Sequence, residues 1–253
     1  MISMKWKCVN SGLIVALLAH AALGANPEPA SYVADIARVH LEAAGGREAH
    51  AALRSLRATG ITRIGGQELP FILCAARPRS VRIETLGENE TLVRVFDGVH
   101  APWQKRDLAG APTRLAQDAE DDFTAEAEFD PLLYDTKSRG IELEVAGTAE
   151  VEGRPCLRLL ATLRLTEAYT LYLDEETMLM VRRDQRKVRA GNIVVVETYY
   201  SDFRPVAGVM LPFRIRMQAD GKVISETEIA ELIANPATSP DFFTPPVANW
   251  PRR

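Results

Sequence analysis

The sequence has little of what most catalytic sites are built from. Its 253 residues include 4 His and 3 Cys. No Ser stands in a G-x-S-x-G elbow, and neither Cys74 nor Cys156 carries a nucleophile signature. Gly45-Gly46 and Gly65-Gly66 fit neither G-x-x-x-x-G-K-[ST] nor G-x-G-x-x-G, so no phosphate-cradling loop is expected. His40 and His50 in "HLEAAGGREAH" are too far apart for the H-E-x-x-H zinc pair and read as exposed side chains at helix ends. Hydrolysis, nucleotide binding and metal chemistry all lack a positive signal. No catalytic residue, metal or cofactor is assigned.

Positive charge is also short. The 30 basic residues are outnumbered by 34 acidic ones, a net charge of −4 that disfavours a nucleic-acid partner. The acidic run Asp118, Glu120, Asp121, Asp122, Glu126, Glu128 and Asp130 lacks the sixth-position Gly of an EF-hand loop and reads as a solvated helix face. The basic run Arg182, Arg183, Arg186, Lys187 and Arg189 straddles a hairpin turn before Gly191-Asn192. It reads as a solvated turn, with phosphate headgroups or an acidic partner as the alternative.

Long apolar runs are missing beyond the first 25 residues. Lys5 and Lys7 precede an apolar stretch from Leu13 to Leu23 that ends in Ala22-Leu23-Gly24-Ala25, the pattern of a secretory signal cleaved near Gly24 or Ala25. Nothing later reaches the roughly 18 apolar residues of a spanning helix. An exported protein is expected, and loss of Lys5 and Lys7 takes its net charge from −4 to −6. Cys8 leaves with the signal. Cys74 and Cys156 remain, either bridged in an oxidising compartment or free and buried on strands.

What is present is mostly strand. "SYVADIARVHLEAAGG" spaces Val33, Ile36, Ala37, Val39 and Leu41 for one amphipathic helix, with Ser31 as N-cap and Gly45-Gly46 as stop. "REAHAALRSL" continues as a short second helix or a turn. From Leu56 the chain runs as segments of about 6 to 10 residues bounded by Gly, Pro, Asp or Asn, a meander of antiparallel hairpins. Asp97-Gly98, between "LVRVF" and "HAPWQK", is a hairpin corner in which Asp97 serves backbone N–H groups and Gly98 takes positive φ. The acidic insert from 112 to 134 breaks the rhythm as one or two helices. No repeat and no linker divides residues 26–253, so one domain is expected.

Alternation assigns faces, because successive strand residues point to opposite sides. Val209, Leu211, Phe213, Ile215 and Met217 share one face of their strand while Arg214 and Arg216 share the other. "IVVVETYY" is apolar on both faces at Ile193 to Val196 and reads as a strand covered on both sides.

The stretches "AAGG", "RPRSVRIET" leading into "FDG" and "W", "YLDEETMLMVRR", "YYSDFRPVAGVMLPFRI" and "EIAELIANPATSPDFFTPP" follow one another in that order. Together they resemble the LolA-like, outer-membrane lipoprotein-sorting families of periplasmic proteins. The resemblance runs from Val33 to Pro246. It implies an α+β fold, a strongly curved, unclosed antiparallel β-barrel of about 11 strands, with helices covering a concave face that holds lipid or lipoprotein acyl chains. It also implies a periplasmic, non-catalytic protein whose Phe-Thr-Pro-Pro tail lies against the barrel. The insert from Pro112 to Tyr134 is longer and more acidic than the family leads one to expect.

Alternation then supplies candidate lipid-lining residues: Phe71, Leu73, Val81, Ile83, Val93, Val95, Trp103, Leu171, Leu173, Phe213 and Ile215. The expected partners are lipid or lipoprotein acyl chains, with membrane-bound donor and acceptor proteins, around a monomer. The alternative is a periplasmic sensor or scaffold in which the same half-barrel packs shut and works through protein contacts.

Overall fold

The computed structural model describes residues 30–252 apart from 108, 165, 166, 190, 248 and 249. The expected signal segment 1–25, with Cys8, lies outside the described residues. Two helices open the chain, α1 (Ala30–Ala43) and α2 (Gly46–Ala52). Six strands follow: β1 (Ser55–Ile64), β2 (Gln67–Ala76), β3 (Ser80–Leu86), β4 (Thr91–Phe96), β5 (Trp103–Arg106) and β6 (Thr113–Arg114). Helix α3 (Gln117–Glu126) leads into the second group. That group is β7 (Glu142–Val151), β8 (Arg154–Arg164), β9 (Glu167–Asp174), β10 (Met180–Arg189), β11 (Asn192–Val206), β12 (Val209–Ala219) and β13 (Lys222–Ala234). A 3-10 turn, Pro240–Phe243, lies in the tail.

The 13 strands form one antiparallel sheet in the order β6-β5-β4-β3-β2-β1-β13-β12-β11-β10-β9-β8-β7, with β6 and β7 left as free edges. The barrel is therefore unclosed. Each half is a meander of sequential neighbours, and the first strand meets the last: Leu56 pairs with Ala234 and Arg63 with Glu226. The strand count exceeds the expected 11 partly because β6, two residues long, lies inside the insert read as helical. Within that insert α3 occupies only Gln117–Glu126.

At the corner between β4 and β5, Asp97 Oδ1 accepts the backbone N–H groups of Val99 (2.9 Å) and His100 (2.8 Å). Its Oδ2 accepts from His100 Nδ1 at 2.6 Å, and Gly98 sits at φ 88°. Burial works to raise the Asp97 carboxyl, but the hydrogen bonds from His100 and Val99 outweigh it and hold the group below the usual carboxylate range. This is a braced turn.

Helix α1 turns Val33, Ile36, Ala37, His40 and Leu41 inward at spacings of three and four. Ile36 and Ala37 pack with Leu159, Ala161, Tyr169, Leu171 and Leu173, so α1 covers the concave face of β8 and β9. At the other flank Phe123 and Ala127 of the α3 segment pack on Val81 and Phe96. Between these two covers the concave face stays open.

The joint between α1 and α2 seals one end of the barrel. Met210 N–H donates to Ala44 O at 2.9 Å, beside the turn that links β11 and β12. Gly45, at φ 117°, lies so close that a Cβ there would fall 2.1 Å from Gly208 O. Only glycine fits. The opposite end is the rim formed by the β1–β2, β3–β4 and β12–β13 turns together with the neighbouring ends of β8, β9, β10 and β11, as antiparallel order requires. That rim exposes Ile64, Leu86, Val188, Ile193, Val223 and Ile224. The reading of Ile193 to Val196 as covered on both faces is thus corrected: Ile193 is 70% exposed, because it stands at a hairpin tip.

Candidate functional site

Strand register shows which side chains face the hollow. Thr62, Ala58 and Leu56 on β1 align with Leu69, Leu73 and Ala75 on β2, and Leu73 aligns with Ile83 on β3. On the other side of the seam, Thr62 meets Thr227 of β13, which meets Ile215 of β12. These strands wall a cavity of about 820 Å³. Its lining is largely aliphatic, including Leu56, Leu69, Phe71, Leu73, Ile83, Leu211, Ile215, Met217, Ile229 and Leu232. The volume falls within the roughly 300–1,000 Å³ of ordinary ligand pockets.

Of the candidate lining residues, Phe71, Leu73, Ile83 and Ile215 border this cavity. Val81, Leu171 and Leu173 point to the same concave side but are spent on helix packing, Val81 under Phe123 of α3 and the two leucines under α1. Phe213 is buried beneath the Arg204 guanidinium, 4.4 Å from its ring centroid. Val93, Val95 and Trp103 lie on the opposite, convex face. Register decides it: Ile83 faces Arg94, so Arg94 points into the hollow and Val93 and Val95 point away. Phe243 and Trp250 of the C-terminal tail cover them, and Trp250 Nε1 donates to Ala101 O at 2.8 Å.

The histidines also differ from expectation. His40 and His50 are buried at 6% and 3% exposure and border the cavity, because the inward stripe of α1 continues through His40 and α2 folds back over the same end. His40 Nδ1 donates to Met178 O at 2.7 Å, and His50 Nδ1 to Gly46 O at 2.9 Å. Burial lowers the His40 pKa, against the pull of its bond to Met178. Both are structural pins.

The acidic run is a solvated face only in part: Asp121 and Glu126 are exposed. Glu120, 1% exposed, binds Arg114, and Asp122 pairs with Lys187 of β10 at 3.0 Å. Glu128 pairs with Arg79 at 2.7 Å and Asp130 with Arg77 at 2.6 Å. Thus α3 and the segment after it are fastened to both flanks by ion pairs, with Phe123 and Ala127 supplying the apolar contact. The run is explained by a helix that buries too little apolar surface to hold itself down. The basic run is likewise engaged: Arg182 binds Asp184 and Glu197, Lys187 binds Asp122, and Arg183 borders the cavity. Arg186 alone of the described side chains in that run is exposed.

Cys74 and Cys156 are free and buried, and burial raises both thiols. They sit on β2 and β8, seven places apart in the sheet, so no bridge can join them. No group of three or more His, Cys, Asp or Glu suited to a metal ion occurs among the described residues.

Sequence reasoning missed the β13 wall of Ser225, Thr227, Ile229 and Leu232, and the inward arginines Arg94 and Arg183. The β13 stripe was legible as alternation in "SETEIAEL", weakened by a β-bulge opposite Thr59 and Gly60. Nothing within β4 alone marks Arg94, since its apolar neighbours suggest the reverse orientation.

An open antiparallel half-barrel around a lined hollow defines the structural class, and solved structures share it. A DUF1329 family protein from Desulfovibrio piger superposes with a TM-score of 0.57 at 12% identity, over 86% of this chain and 98% of that one. A putative outer membrane lipoprotein-sorting protein domain from Vibrio parahaemolyticus gives 0.54 at 10% identity, over 84% and 96%. A LolA superfamily protein from Nitrosomonas europaea gives 0.54 at 12% identity, over 83% and 97%. The chain has the LolA-like fold. No family model matches the sequence, and no curated protein matches it.

Proposed function

We propose that this chain is an exported, non-catalytic protein that binds lipid or lipoprotein acyl chains in the concave cavity, working in the periplasm. The observation that carries the reading is the cavity of about 820 Å³ with its aliphatic walls. A methylene fills roughly the 30 Å³ of a liquid water molecule, so a chain of about 16 carbons needs on the order of 480 Å³. It fits with space left for a head. Each buried methylene contributes about 0.8 kcal/mol, enough to hold a chain without a covalent bond. The apolar rim at the hairpin tips supports the same reading, as the mouth through which a chain passes from a membrane or a partner. An open hollow of this size counts against the scaffold alternative, which needs a packed interior.

The test is native mass spectrometry of the exported protein before and after solvent extraction, followed by titration with a fluorescent fatty acid. Co-purified lipid, or saturable binding that Ile83→Trp and Ile215→Trp weaken by filling the hollow, is the expected result. Absence of any co-purified lipid together with no binding of the probe would overturn the reading.

A further inference from the structure

Three arginines border the cavity, and they differ in their partners. Arg79 is bound to Glu128 at 2.7 Å and donates to Thr124 O. Arg94 and Arg183 have neither an ion pair nor a side-chain hydrogen bond among the described residues. Each guanidinium rests on an aromatic ring instead, Arg94 on Phe123 at 5.4 Å and Arg183 on Tyr169 at 5.4 Å. The Nε of each is buried with no acceptor. A ring face orients a guanidinium but satisfies none of its five N–H donors.

The two arginines, on β4 and β10, border the same hollow, and α3 reaches both strands, with Phe123 against Arg94 and Asp122 paired with Lys187 of β10. Glu126 of α3 acts on Arg94 from one side and on Tyr169 and Tyr200, beside Arg183, from the other. Glu126 and Glu167 also line the cavity. Both arginines are only partly buried, but the Nε of each is buried, and a buried polar group lacking a partner asks for an explanation. Two uncommitted forks beside an aliphatic hollow match an anion carried on an apolar tail.

We propose that Arg94 and Arg183 form a head-group site, and that the cavity's ligand is a single-chain amphiphile ending in a carboxylate or a phosphate. This rests on the acyl-chain reading above and narrows it, because an ester- or amide-linked acyl chain of a lipoprotein brings no anion. The site selects the charged head while the aliphatic wall holds the tail.

The test uses the full exported chain, delipidated, titrated with hexadecanoate, hexadecyl phosphate and hexadecanol, which share one tail. Wild type should bind at least one of the anions about tenfold or more tightly than the alcohol, the effect of a charge-assisted hydrogen bond. The tighter anion identifies the head as carboxylate or phosphate. Arg94→Gln and Arg183→Gln, made separately so that a folding failure in one leaves the other informative, should each lose that preference while keeping the affinity for hexadecanol. Equal affinity of wild type for hexadecanol and both anions would overturn the head-group site and leave the acyl-chain reading standing. Binding of none of the three would overturn both.

Discussion

The concave face carries the same kind of side chain along its length, yet its two regions have opposite fates. Over β8 and β9, Leu159, Leu171 and Leu173 are at 0% exposure beneath α1. Over β1, β2, β12 and β13, Leu73, Ile215 and Ile229 are only partly buried and face open volume. Hydrophobicity is common to both, and the difference is whether a helix lies on top. Apolar residues on a curved sheet therefore become core or lining according to what the connections place over them.

That contrast can be broken in order of effect. Trp103→Ala, on the convex face beneath Phe243 and Trp250, should cost about 3–5 kcal/mol of stability in urea denaturation. Its acyl-probe affinity should stay unchanged, since the residue is on the far side of the sheet. Leu171→Ala should cost about 2–5 kcal/mol, again without a matching loss of probe binding at temperatures where the variant is folded. Were Leu171→Ala instead neutral for stability, the division between covered and open regions would fail.

Acid should act on the covered end. His40 has its pKa lowered by burial, so the unfolded chain, with the ordinary value of about 6.5, takes up the proton first. Stability from this group is complete above about pH 6.5 and falls as pH drops below it, by up to about 1.4 kcal/mol per unit until the folded-state pKa is reached. Urea midpoints from pH 8 to pH 5 should show the decline, and His40→Gln should flatten it. The smallest stability effect belongs to the open region. Ile229→Ala, at a side chain only partly buried and facing the open hollow, should change stability by under about 1 kcal/mol. The fluorescent fatty acid should nevertheless bind it more weakly, the reverse of the Leu171 pattern.

Much of the fold was legible because its signals are local. The hairpins were marked by Asp97-Gly98 and Gly65-Gly66, the opening helix by the Val33 to Leu41 stripe, and alternation correctly grouped Phe71 with Leu73 and Val81 with Ile83. The candidate site was less so. Val93, Val95 and Trp103 form a convincing apolar face, but the sign of that face is set by pairing with β3 and by a tail some 140 residues away in sequence. The acidic run was read as solvated because the arginines that bind it, Arg77 and Arg79, come from a different turn of the chain. His40 and His50 were misplaced for a similar reason, since burial depended on how α2 folds back after Gly45.

The seam between β1 and β13 sets the order in which this molecule can come into being. The cavity wall draws on residues near the start of the sheet as well as residues near its end, and Leu56 cannot meet Ala234 until the chain through β13 is available. Pairings of such long sequence separation form slowly. The hollow is consequently a late product of folding, and a ligand can stabilise only a finished protein, never a nascent one.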